Sequence, residues 1–180
     1  HINRYNFKLS SIYDVKIDSA NTLKLTVKAN FYHTESEEDY QLKRTDQDKN
    51  LFNVTDRFTK LNSDKQSYTA NAIFKHKFKK QRRTLSLTAD WNLLQTDGTS
   101  FLQSYNEDFL KVTVVNVDQK KETEKSTQKF SSKIVYTEPL SKKYSLEIGH
   151  EISYTLGNND QTTYSYNTTS GKYDTGVDSL

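Results

Sequence analysis

Asp46, Asp48 and Asn50 stand at alternate positions, the spacing with which a calcium loop presents its first oxygen ligands. Such a loop also needs a glycine at its sixth position and a bidentate glutamate at its twelfth, and Leu51 and Arg57 occupy those places. The triplet therefore reads as part of a polar connection. Glu147 and Glu151 share the polar face of one alternating run, but four residues of extended chain set them ~13 Å apart. An inverting glycosidase pair sits ~6.5–9.5 Å apart, so these two read better as charges facing a wet interior. The histidines at 1, 33, 76 and 150 share no ligand spacing, so a zinc site is not expected. Lys75, Lys77, Lys79, Lys80, Arg82 and Arg83 crowd one short stretch with Phe74 and Phe78 between them. A nucleic-acid patch would use such residues. A net charge of only +3 favours a solvated turn, or one that meets anionic lipid headgroups at a membrane edge. Asn53-Val-Thr55 and Asn167-Thr-Thr169 match the glycosylation sequon, a match attributed to chance.

Nothing in the chain has the pattern of a nucleophile elbow, a phosphate loop or a Ser/His/Asp set. Cysteine is absent, which removes disulfides, thiolate metal sites and a cysteine nucleophile. No catalytic, cofactor-binding or metal-binding residue is assigned, and an enzyme is not expected. Function must then lie in the elements themselves.

Those elements announce themselves by a period of two. From 144 to 156, Tyr144, Leu146, Ile148, Ile152, Tyr154 and Leu156 share one parity, with His150 the polar exception. Ser145, Glu147, Gly149, Glu151, Ser153 and Thr155 take the other. Strict alternation means a β-strand with one apolar and one polar face. Its length exceeds the ~5–6 residues of a globular strand and suits the ~9–11 that cross a bilayer at a tilt. The device recurs, and the periodicity predicts strands over 4–15, 22–34, 67–78, 84–95, 128–137 and 143–156.

Three connections are short enough for hairpins, at 17–22, 79–84 and 138–143. The stretches 35–66 and 96–127, and a further one opening after Gly157, are polar and read as long loops. Loops that long are uncommon in compact domains, but transmembrane barrels alternate tight turns with long extracellular loops. The expected organisation is one barrel segment over 1–180, with hairpins at about 4–34, 67–95 and 128–156 joined by those loops.

Composition agrees once the architecture is allowed for. Hydrophobic residues make up only 33% of the chain and mean hydropathy is −0.91, values that suit a barrel wall apolar at alternate positions only. No stretch approaches the ~18 apolar residues of a transmembrane helix. Twelve tyrosines suit aromatic girdles at two membrane interfaces. The chain does not begin with methionine, and an exported protein of this kind is expected to be a mature product or an internal piece of something longer. Pro139, the single proline, falls in a predicted turn.

Residues 74–91, FKHKFKKQRRTLSLTADW, and 133–154, KIVYTEPLSKKYSLEIGHEISY, resemble hairpins of the outer membrane β-barrel family allied to TonB-dependent receptors. The tail from Thr169, TSGKYDTGVDSL, resembles the loop that follows such a hairpin. The resemblance implies a large barrel in the cell outer membrane of a Gram-negative bacterium, ~22 strands in plugged transporters. It also implies a receptor or transporter that takes up a bulky nutrient, with a plug domain and an inner-membrane energy-coupling protein as partners. Single-chain barrels start at eight strands, so about six must borrow neighbours, expected to be further strands of the same polypeptide.

The expectation is an all-β, antiparallel, up-and-down meander of about six long strands, part of a transmembrane outer-membrane β-barrel. It would enclose a polar lumen, contact outer-membrane lipid, bind no nucleic acid and present long loops outside. The alternative is a soluble all-β module that binds a ligand or carbohydrate. A sandwich of that kind buries its apolar faces against a second sheet.

Overall fold

A computed structural model describes residues 1–176. It contains seven strands: β1 (Ile2–Lys16), β2 (Asn21–Thr45), β3 (Leu51–Lys77), β4 (Thr84–Asp108), β5 (Thr113–Pro139), β6 (Ser145–Asn167) and β7 (Lys172–Gly176). They form one sheet in sequence order, every neighbour antiparallel. All six predicted strands are present and pair across the three predicted tight turns.

The long loops are not. β2 and β3 run on through 35–66 and are joined by a turn at 46–50; β4 and β5 run on through 96–127 and turn at 109–112. β6 continues past Gly157 to Asn167 and turns back into β7. The last four residues of the tail that resembles a loop lie outside the described residues; Lys172–Gly176 of it is strand. These distal halves carry polar side chains on both faces, so no hydrophobic alternation marks them. Backbone ladders hold them, helped by cross-strand pairs such as Lys60 with Glu37 at 2.7 Å and Gln41 with Asp56 at 2.7 Å.

Each tight turn has a visible cause. Asp18 Oδ1 accepts the N–H groups of Ala20 and Asn21, both at 2.7 Å. Asp46, Asp108 and Asn167 do the same at their turns, and the Ser141 hydroxyl receives the N–H groups of Lys143 and Tyr144. Short polar side chains that satisfy the backbone just downstream are what a turn selects. The β3–β4 turn lacks such a residue. It closes with Arg82 in the left-handed region, φ 67°, and through contacts to the neighbouring hairpin.

The register also slants. Tyr13, Leu25, Ala72, Ala89, Ser132 and Ile152 form one row across six strands. Beyond that row β1 runs three residues to Lys16, β3 five to Lys77 and β5 seven to Pro139. The turn end thus steps by two residues per hairpin, or one per strand. At the far end the strands shorten in the same sense, with Thr45 twenty residues from the row, Asp108 nineteen and Asn167 fifteen. One residue of stagger per strand, at ~3.4 Å rise and ~4.8 Å between strands, corresponds to a tilt of about 35°. The sheet is open, with β1 and most of β6 as its edges.

Candidate functional site

Antiparallel partners point to the same side of a sheet, so the register sorts every side chain onto one of two faces. One face carries an uncharged band: alternate residues over 7–15 in β1, 23–31 in β2, 68–74 in β3, 85–93 in β4, 130–136 in β5 and 146–156 in β6. Leu25, Val27, Leu85, Leu87, Leu146, Ile148 and Ile152 all lie on it, as the alternation requires. Along β4 the band covers eight residue steps, about 27 Å, which a 35° tilt projects to about 22 Å.

This band is not covered. No hydrophobic side chain among the described residues is buried, and Ile148, Ile152 and Tyr13 are 60%, 62% and 59% exposed. The buried residues among those described are Pro139, at the end of β5, and Asn53, a sequon asparagine, whose amide donates to Asn106 Oδ1 and the Glu107 carbonyl. Asn167 of the other sequon caps the β6–β7 turn.

Aromatic side chains follow this face, within the band and also beyond it at Phe52, Phe58, Phe101, Tyr105 and Tyr164. Every Phe, Tyr and Trp of β1–β6 except Tyr32 and Tyr40 stands on the apolar face. Two aromatic groups mark the ends of the band. Near the tight turns His76 meets Phe78 edge-on at 4.5 Å, and Phe78 meets Tyr136 at 6.1 Å. Toward the distal end Tyr68 packs edge-on against Phe31 at 5.7 Å, with Phe7 beside it.

Beyond a distal rim of neutral polar side chains, Gln66, Gln95, Gln128 and Asn158, the face becomes charged. On the distal side His33, Asp64, Asp97, Glu124 and Asp160 form one cross-strand row. His33 Nδ1 lies 2.8 Å from Asp64 Oδ1 and Nε2 lies 3.6 Å from Glu35, which raises the imidazole pKa above its ordinary value. On the turn side Glu138 accepts from Lys80 (2.6 Å), the Arg83 guanidinium and the Tyr136 hydroxyl (2.6 Å). Those donors pull its carboxyl down to about 2.

The candidates singled out by residue type are scattered accordingly. Asp46 receives the N–H groups of Asp48 and Asn50 and the Asn50 amide, so the calcium-like spacing is a turn cap. These hydrogen bonds hold its carboxyl below the usual range. Glu147 and Glu151 stand on the polar face, Glu151 opposite Lys133. His33, His76 and His150 lie on separate strands, and no group of three metal-ligating side chains exists among the described residues. The basic run divides: Lys75 and Lys77 face the polar side, Lys80 and Arg83 hold Glu138, and Arg82 donates to the Lys142 carbonyl. The turn caps Asp46 and Asp108 escaped the sequence reading, although Asp-x-x-x-Asn and Asp followed by a break in alternation were signals for them.

No family model and no curated protein sequence matches this chain.

Proposed function

We propose that this chain forms part of the wall of an outer-membrane β-barrel of the TonB-dependent-receptor type, a receptor or transporter whose polar face lines a lumen. The observation that carries this is the uncharged, exposed band, about 22 Å tall, with charge on both sides of it. A transmembrane barrel presents an apolar belt of ~25 Å flanked by aromatic girdles. Water penalises such a surface, whereas lipid does not. The one-residue stagger agrees, since closing a barrel requires strands tilted by ~35–45°.

The open edges of β1 and β6 supply the complement. In lipid each unpaired N–H or C=O costs several kcal/mol, so further strands of the same polypeptide complete the ring. The distal halves of β2 to β5 then rise beyond the membrane as an extended β-wall carrying short turns. Energised uptake, a plug domain and an inner-membrane coupling protein belong to this proposal through the family resemblance alone. A soluble sandwich would need a second layer over the apolar face, and none exists among the described residues.

Adjacent residues of β6 test it. These 180 residues are free of cysteine, so with any cysteine elsewhere in the full polypeptide replaced, single cysteines report cleanly. In liposomes holding the full polypeptide, a fluorophore on Ile152→Cys is expected to be quenched by brominated lipid. Glu151→Cys is expected to escape quenching and to react with a water-soluble maleimide. Equal behaviour at the two positions overturns the barrel.

A further inference from the structure

Sorted by face, the ionisable side chains separate by sign. Every lysine and arginine of β1–β6 except Lys43, Lys60 and Lys120 stands on the polar face. The carboxylates of that face are Asp14, Glu38, Asp90, Asp108, Glu147 and Glu151. All other carboxylates of these strands lie on the apolar face, outside its band.

Charges that serve a sheet sit opposite partners of the other sign. On the polar face only Asp14 with Lys24 and Glu151 with Lys133 are opposed in the ladder. Among the described residues, no lysine or arginine of this face closes an ion pair. Neutral donors lie between the cations instead. Lys28, Thr69, Asn92 and Lys129 form one row, which sets the two ammonium-bearing positions three strand spacings apart, about 14 Å. Lys65 and Lys125 flank Thr96 two spacings apart, about 10 Å. A face on which fourteen lysines and arginines stand against six carboxylates attracts anions as counter-ions. Lysines this far apart, with hydroxyls and amides between, suit a ligand that carries several anionic groups better than a single halide.

We infer that the polar face, taken as the lumen wall in the proposal on which this rests, binds small multiply charged anions bearing phosphate, sulfate or carboxylate groups. Lys28, Lys65 and Lys129 are its central contacts, with Thr69 and Asn92 as neutral donors. The acidic rows on the opposite face keep such solutes off the outside of the wall.

Calorimetric titration of the full polypeptide in detergent, with inositol hexakisphosphate as the probe and spermine as its opposite-sign counterpart, tests this. The hexakisphosphate is expected to bind and spermine not to. Lys28→Gln, Lys65→Gln and Lys129→Gln together are expected to weaken binding at least tenfold, and arginine at the same three positions to restore it. Lys79→Gln with Lys142→Gln at the tight turns is expected to change nothing. Absent binding, binding unmoved by the three glutamines, or binding lost equally through the turn pair overturns the inference. Lipid quenching at Ile152→Cys separates this from the barrel itself. A quenched label without anion binding defeats only the anion site; anion binding at these lysines without quenching defeats only the membrane wall.

Discussion

Arg83 grips Glu138 with two parallel hydrogen bonds, Nε to Oε2 at 2.7 Å and Nη2 to Oε1 at 2.8 Å. The pair joins the turn between β3 and β4 to the end of β5, fifty-five residues away in sequence. Planar bidentate pairing of this kind is specific to arginine. Lys80 and Tyr136 complete the acceptor sites, so one carboxylate ties a turn that has no capping side chain of its own to the next hairpin.

Glu138 consequently links stability to acid. Its folded pKa is about 2, below the ordinary 4.5, so the folded state binds the proton less readily than the unfolded chain. The contribution is present above pH 4.5 and is lost as pH falls through that value toward 2. Urea midpoints measured across this window are expected to fall for the native chain and to fall less for Glu138→Gln. Arg83→Lys, which keeps charge but not the fork, is expected to behave closer to Glu138→Gln than to the native chain. Identical pH slopes for all three would remove Glu138 from the turn's support.

His33 gives the opposite sign. Its folded pKa is raised above 6.5, chiefly by the hydrogen bond to Asp64, with Glu35 adding to it. Its contribution is therefore whole below pH 6.5 and is lost as pH rises through the raised value. The imidazole resonances of His33 followed by NMR are expected to titrate later than those of a free histidine. Asp64→Asn is expected to move the midpoint back down. Asp64 is exposed and His33 only half-buried, so salt is expected to shrink the effect.

Asp46 is expected to act as a turn cap and not as a cation ligand. Asp46→Ala removes the acceptor for two backbone N–H groups and the Asn50 amide. Limited proteolysis is expected to speed up between residues 46 and 50, with calcium neither protecting the native turn nor rescuing the variant. Protection by calcium would restore the metal reading.

The proximal half of each hairpin was legible because one parity is apolar there: Leu85, Leu87, Trp91 and Leu93 alternate with Ser86, Thr88, Asp90 and Asn92. The distal halves were not. Glu37 and Asp39 on one face alternate with Glu38 and Tyr40 on the other, and a period of two leaves no trace when both sides meet water. The loop expectation for 35–66 and 96–127 failed on that ground, even though Asp46 and Asp108 each marked a tight turn. The candidate site was half visible. Lys24 and Lys28 fall on the polar parity of β2, but their alignment with Lys133 and Lys129 of β5 needs the register of three strand pairings, which no local pattern carries.

A cation on each face of β6 distinguishes lipid from lumen. Ile148 is 60% exposed within the uncharged band, opposite Tyr136, while Glu147 next to it points to the polar side. Neighbouring residues in a strand face opposite ways, so two substitutions one residue apart sample two solvents. Ile148→Arg places a guanidinium among hydrocarbon, for which barrel measurements give ~2–4 kcal/mol of destabilisation near the midplane. Glu147→Arg adds a cation to a wall already dominated by lysine and exposed to water. It is expected to leave the unfolding free energy within ~0.5 kcal/mol, the range of ordinary surface changes. Urea titration of the full polypeptide in lipid compares the two directly. A large loss at Ile148→Arg with little change at Glu147→Arg fits a wall between lipid and lumen. A soluble sheet with both faces wet would tolerate arginine equally at 147 and 148, and that outcome would end the barrel assignment.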